Sequence, residues 1–316
     1  MHYSVLKKEL IENLNIKDDG IYIDATIGYA GDSKEILKKI PNGYLYGFDQ
    51  DEKAVNYSNE VLSKIGNNFK IFKTNFVNMK EVFAEENIGS VDGIIFDLGF
   101  SSPQIDDETR GFSFMHDGPL DMRMSSEGMS AKDIIDSYSE DALTNIFFKY
   151  GEEKLSKVIA RNIKKRHQEI NTTLELVEVI KSSTGANYFY KNHPERKIFQ
   201  ALRIEVNNEL KVLEKVLPNA INLLKKGGRI CVITFHSLED RIVKNIFREA
   251  SEVDELVKGL VEVPEAYKPK IKLINKKPIL PGEKELEENS RSRSAKLRVI
   301  ERIWLKWLKR IKSWNF

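Results

Sequence analysis

Ile94-Ile95-Phe96-Asp97-Leu98-Gly99-Phe100-Ser101-Ser102-Pro103-Gln104 is the stretch that decides how this chain is read. The apolar run that leads into it, VDGIIF from Val91 to Phe96, reads as a buried strand. It ends in an acid, a glycine and then Ser-Ser-Pro-Gln. In open α/β sheets ligands lie beyond the carboxyl ends of the strands, so Asp97 and the loop after it point to the expected site. The same letters also describe a strand closing in an ordinary Ser/Pro turn, and on this segment alone the two readings weigh equally.

Upstream the pattern repeats. IYIDATIG (21–28), YLYGFDQD (44–51) and FKIFKTNF (69–76) read as strands, with the helical stretches SKEILKKI and EKAVNYSNEVLSKI among the segments between them. Strands alternating with helices predict parallel βαβ units with helices on both faces. Downstream the pattern changes. DDETRGFSFMHDGPLDMRMSSEGMS has no clean period, and from Ala131 to about Glu195 every apolar pattern is helical. A long helix, about Arg196 to Lys225, returns to Gly227-Gly228 and a fifth strand, RICVITF. The expectation is a discontinuous α/β domain, 1–110 and 198–316, carrying an all-helical insertion over 111–197. The last quarter reads as a further helix, a Pro/Lys-rich stretch and a basic tail.

Composition narrows the class. The 316 residues are 41% hydrophobic and 31% charged, which describes a soluble globular chain able to bury a substantial core. The single Cys231 excludes an internal disulfide and fits a reducing compartment. MHYSVLKKEL has no apolar signal region and no run approaches 18 apolar residues, so the expectation is a cytoplasmic protein without an integral membrane segment. Five scattered histidines show no metal-ligand spacing, and no metal is expected. Net charge is only +2, but nine Lys/Arg stand against one acid between Arg291 and Lys312. Lys268, Lys270, Lys272, Lys276 and Lys277 form a second acid-free run. Such patches bind phosphate, although a solvated charged face is the commoner meaning of either run alone.

The chemistry gathers at strand ends. After strand one, Gly28-Tyr29-Ala30-Gly31-Asp32-Ser33 leads into a helix, offering a tight turn and free N–H groups. Asp49 ends strand two, 21 residues after Gly28, where an acid can accept both hydroxyls of a ribose. The dinucleotide pattern G-x-G-x-x-G is missing because Ala30 replaces its second glycine, and Asp32 would repel a pyrophosphate. That disfavours a nicotinamide enzyme and favours S-adenosylmethionine, whose sulfonium is positive. Phe76 ends strand three and can cover an adenine face, although a lone Phe there is more often core. Asp97 with the carbonyls around Ser102-Pro103 suits an exocyclic amine, which offers two N–H donors. Strand five ends in Phe235-His236-Ser237-Leu238-Glu239-Asp240, where Ser237 and Asp240 read as a capping box and His236 as a structural or substrate-orienting group. Cys231 lies inside strand five, so the thiolate needed to methylate cytosine at C5 is not at hand, whereas an amino nitrogen needs none.

Taken in order, HYSVLKKEL, DLGFSSPQID, RGFSF, DGPLDMRM, YGEEK, FQALRIEVNNEL, FHSLEDRIVK and NSRSRSAKLR identify a family. The chain resembles the RsmH (also called MraW) methyltransferases from His2 to about Arg302. The resemblance implies a Rossmann-like class I methyltransferase fold that transfers a methyl group from S-adenosylmethionine to N4 of a cytidine in the decoding centre of 16S rRNA. It implies cofactor contacts at Ala30, Gly31, Asp32, Asp49, Phe76, Asp97 and Gln104. Catalysis is assigned to Asp97, Ser102 and Pro103, and RNA contact to Arg110, Arg123, His236, Arg291, Arg293, Lys296 and Arg298. The partner expected is small-subunit ribosomal RNA or the 30S subunit, and pairing with a second copy is left open. Two departures stand out. The family's first loop usually reads Gly-Gly-Gly-His-Ser, against Tyr29-Ala30-Gly31-Asp32-Ser33 here. That leaves room for a divergent paralogue acting on another RNA, or a methyltransferase-like RNA-binding or assembly factor without turnover. The tail IERIWLKWLKRIKSWNF also places Ile300, Ile303, Trp304, Trp307, Ile311 and Trp314 near one helical face, as expected of a basic amphipathic helix against RNA, a membrane surface or its own domain.

Overall fold

The computed structural model describes residues 4–125, 127–253, 255–264 and 267–303. They fall into two compact units, Met1–Gly99 with Val212–Phe316, and Phe100–Lys211. The second unit reaches beyond the expected 111–197 at both ends. Past residue 197, Phe199, Ala201 and Leu202 bury their side chains in its own core.

The first unit is a seven-stranded sheet. β1 (Ile21–Asp24), β2 (Tyr44–Asp49), β3 (Phe69–Lys73), β4 (Val91–Asp97) and β5 (Leu224–Thr234) run parallel. β6 (Ile271–Leu273) and β7 (Lys296–Arg302) are antiparallel additions, giving the order β3-β2-β1-β4-β5-β7-β6. The order reverses between β1 and β4, the point at which such sheets open a crevice for ligands. Flanking it are α1 (Lys7–Leu14), α2 (Ser33–Lys39), α3 (Glu52–Ser63), α4 (Met79–Glu85) and α13 (Ser237–Ser251).

The expected Rossmann-like α/β class holds, and the reason is visible in β4. Ile94 and Phe96 enter one core with Ile23, Phe48 and Val232, while Ile95 enters the opposite core with Tyr22, Leu45, Cys231 and Ile233. Both faces are dry, so the strand must be apolar throughout rather than alternating. Each of these side chains, fully buried, contributes about 1.5–3 kcal/mol.

Two sequence expectations are corrected by the structure. The tail residues Ile300–Arg302 belong to β7, not to a helix, because Arg229 to Thr234 of β5 offer an open edge that Lys296–Glu301 fill. Residues from Trp304 onward, including Trp307, Ile311 and Trp314, lie outside the described residues. The single long helix is two, α11 (Pro194–Asn207) and α12 (Glu209–Leu223), broken at Asn208 with φ 50°. Asn is among the few residues that enter this left-handed region readily.

The second unit is helical, as read: α5 (Ser102–Asp106) is followed by α6 (Ala131–Ser137), α7 (Glu140–Lys149), α8 (Ser156–Arg166), α9 (Thr173–Thr184), α10 (Ala186–Asn192) and α11, and the last six surround one apolar core. Among the described residues no helix is long and apolar enough to cross a membrane.

Candidate cofactor and methyl-transfer site

Three aspartates close three neighbouring parallel strands: Asp24 on β1, Asp49 on β2 and Asp97 on β4. Register places them together. Asp24 pairs across to Gly47 and to Ile95, and Asp49 and Asp97 each lie two residues further along. Side chains alternate along a strand, so residues two apart share a face. All three acids therefore stand on the sheet face that buries Tyr22, Leu45 and Ile95.

Each acid is held differently. Asp49 Oδ2 accepts from the Gly28 N–H at 3.0 Å and Oδ1 from the Asp51 N–H at 2.8 Å. Burial pushes its carboxyl up to about 6 despite these donors. Asp24 accepts the Ser33 hydroxyl at 2.6 Å and the Thr26 N–H at 3.1 Å, yet burial, with Asp32 adding repulsion, pushes it up to about 7. Asp97 is the least satisfied. Its backbone N–H donates to Thr26 Oγ1 at 2.7 Å, but its buried Oδ1 has no hydrogen-bond partner. Burial first, and then Asp32, Asp24 and Glu239, drive its carboxyl well above the usual range. Asp32, at the head of α2, is likewise buried with an unpartnered Oδ1, and burial lifts it to about 6. A buried carboxylate without a partner is costly, and its natural complement is a cation that also donates N–H groups. The donor set therefore fits a cationic ligand such as S-adenosylmethionine.

The loop between β1 and α2 is shaped for close approach. Gly28 has φ 46° and Ala30 φ 57°. The second is strained for a residue with a Cβ and explains why a glycine would be at home there. Phe76 follows β3, half-buried, with its ring edge-on to Phe96 at 5.6 Å.

Other expected residues fall elsewhere. Ser102, Pro103 and Gln104 belong to the second unit. There they form the helix α5 rather than a loop of free carbonyls, and the Pro103 carbonyl already accepts the Asp107 N–H at 3.0 Å. The Gln104 side chain accepts the Ser101 N–H at 3.0 Å. Arg110 donates to the carbonyls of Arg123 and Met124, and Arg123 grips Asp121 through two nitrogens at 3.0 and 2.7 Å. His236 caps α13: its Nδ1 accepts the Glu239 N–H, while Glu239 accepts the Phe235 N–H at 2.9 Å. The cap is thus His236 with Glu239, not Ser237 with Asp240. Asp240 binds Arg298 at 2.7 Å and Lys296 at 3.4 Å. Arg298 is buried, so for these two cations the acid-free run meets an acid from another element rather than solvent. Arg291 and Arg293 remain exposed.

Sequence reading passed over Asp24, Thr26, Ser33 and Glu239. Asp24 gave the same signal as Asp49 and Asp97, an acid at the end of an apolar strand. The contribution of Glu239 arises from proximity across the sheet, and no local pattern displays it.

The MraW methylase family matches residues 1–303. The chain is 48% identical over 306 residues to ribosomal RNA small subunit methyltransferase H of Exiguobacterium sibiricum, covering 96% of this chain and 98% of that one. Similar solved structures include an rRNA methylase from Streptococcus thermophilus, at 13% identity, TM-score 0.41 and 94% of each chain. Another is TrmN from Thermus thermophilus, at 11% identity and TM-score 0.42, over 94% of this chain and 48% of that one. With a family match across nearly all of its length and a relative at this identity, the chain belongs to the MraW methylase family.

Proposed function

We propose that this protein transfers a methyl group from S-adenosylmethionine to the N4 amine of a cytidine in small-subunit ribosomal RNA. One observation carries the reading: Asp97, at the carboxyl end of β4 among three other acids, keeps a buried Oδ1 with no partner. When bound, S-adenosylmethionine supplies a methyl group activated by sulfonium charge.

The chain's own residues do the rest. Asp49 holds the ribose hydroxyls with the lone pairs that Gly28 and Asp51 leave unused, and Phe76 covers the adenine. Asp97 accepts an N–H of the target amine, turns the nitrogen lone pair toward the methyl carbon, and takes the proton the nitrogen gives up. The burial that raises its carboxyl, with the repulsion of the neighbouring acids, makes it a better base near neutrality than an ordinary aspartate. The target base must leave its stack to be reached. Catalysis is then mainly positioning, with the reacting atoms about 3–3.5 Å apart beforehand.

Carbon methylation is disfavoured by Cys231. Burial pushes its thiol up to about 12, so no thiolate is available to add to a pyrimidine ring. The test is nucleoside mass spectrometry on small-subunit RNA from cells with and without the gene. N4-methylcytidine that disappears with the gene supports the proposal. Loss of a C5-methylated base instead, or label transferred only to DNA or protein in a labelled-donor assay, overturns it.

A further inference from the structure

Asp32 stands where the family usually has a histidine, according to the resemblance stated above. Its carboxylate is only 6% exposed, and Oδ1 has no hydrogen-bond partner. Charged groups face it from every side. Asp24 on β1 and Asp97 on β4 repel it, as does Glu35 one turn along α2, whereas Lys7 on α1 attracts it and the Ser4 side chain hydrogen-bonds to it.

The segment bearing Ser4 and Lys7 is fixed in place. Val5 and Leu6 are buried in the same core as Ala30. Leu6 turns with φ 51°, and its N–H donates to Glu285 Oε1 at 2.8 Å. Ser4 closes directly on the loop: a Cβ placed on Gly31 would come within 2.1 Å of Ser4 Oγ. A side chain at 31 would therefore have to displace the Ser4 hydroxyl.

We propose that Ser4 and Lys7 are positioning residues of the cofactor site, holding the Asp32 carboxylate charged and fixed so that its Oδ1 receives the ammonium of the methyl donor's methionine part. This rests on the S-adenosylmethionine reading above. The choice of ammonium over sulfonium is chemical. An orphaned acceptor needs an N–H donor, and an ammonium has three where a sulfonium has none. Lys7 offsets the burial, and after it the neighbouring acids, that would otherwise favour the neutral form of Asp32.

The test is calorimetric titration of the full chain with S-adenosylmethionine and with S-adenosylhomocysteine, which keeps the ammonium and lacks the sulfonium, between pH 5.5 and 8. Lys7→Met should weaken both ligands about threefold near pH 6.5 and about eightfold at pH 5.5, as for a one-unit rise in the Asp32 pKa from about 6, and hardly at all at pH 8. Against an Asp32→Asn background the same substitution should do nothing. Ser4→Ala should give a smaller loss of the same kind. Lys7 also lies 3.6 Å from Glu35, so Glu35→Gln is the control and should not reproduce the effect. The Lys7 side chain is 39% exposed, so Lys7→Met should fold normally. An equal effect of Lys7→Met in both backgrounds overturns the proposal, as does weakening confined to S-adenosylmethionine. A wild-type chain that binds neither ligand overturns the cofactor reading itself.

Discussion

Buried acids are handled in opposite ways in the two units. In the helical unit, Glu153 is fully buried and completely engaged: it accepts the Leu155 N–H at 2.9 Å, the Tyr188 hydroxyl at 2.6 Å and Lys197 at 3.1 Å. Burial alone would raise its carboxyl, but these partners hold it below the usual range. Asp121, gripped by Arg123, is lowered in the same way. At the strand ends of the sheet unit, Asp24, Asp32, Asp49 and Asp97 are all raised. The lesson is that burial does not mark a site; burial without compensation does. Glu153 has found its partners within the fold, whereas Asp97 and Asp32 keep oxygens for something the fold does not supply.

Glu153→Ala leaves Lys197 and Tyr188 facing an empty acid position and should cost about 3–5 kcal/mol of stability by urea unfolding. A loss below about 1 kcal/mol would mean that the paired acid is not structural after all. Asp49→Ala should do the reverse. It should weaken S-adenosylmethionine binding by roughly two orders of magnitude, since each hydrogen bond to a charged acceptor contributes about 1.5–3 kcal/mol, while the fold changes little. Near-normal affinity in the folded variant would remove the ribose role.

The pH dependence of stability sharpens the same contrast. Asp24 and Asp49 have folded carboxyls at about 7 and about 6, above their unfolded value of 3.8. The folded state then binds more protons than the unfolded state. The contribution of these groups to stability is fully present below about pH 4 and declines as pH rises toward 7. Asp97 acts in the same direction, so Asp97→Asn should flatten that decline while suppressing methyl transfer at saturating cofactor. A steeper decline in the variant would contradict the assignment. Glu153, being lowered, contributes in the opposite sense: its stabilisation is present above the unfolded pKa and lost as pH falls.

The smallest effect concerns RNA. With Lys296 and Arg298 committed to Asp240, Arg291 and Arg293 carry the phosphate expectation for this segment. Replacing both with Ala should reduce the slope of log RNA affinity against log salt by roughly 0.7 per single-strand contact, leaving cofactor binding alone. An unchanged slope would move the phosphate contacts elsewhere.

Much of the fold was legible because β4 and its neighbours are buried on both faces, and a continuous apolar run ending in an acid has few other meanings. Lys296–Arg302 hid for the opposite reason. Its alternation was present, with Leu297 and Val299 in one core and Ile300 in the other, but its basic residues suggested a surface run. Seeing it as a strand requires knowing that Asp240 waits for Arg298. Asp49 and Asp97 were readable one at a time. The number of acids that converge, and the fact that two of them each keep one oxygen without a partner, depends on register between strands and has no linear signature.

If these carboxylates wait for a cation, its binding must displace protons from them. Calorimetry of S-adenosylmethionine binding near pH 6.5, repeated in buffers of different ionisation enthalpy, counts the protons exchanged. A cation that pairs with partly protonated acids lowers their pKa values, so binding should release protons, with the release shrinking by pH 8. Binding with no proton exchange at pH 6.5, or with proton uptake, would contradict the claim.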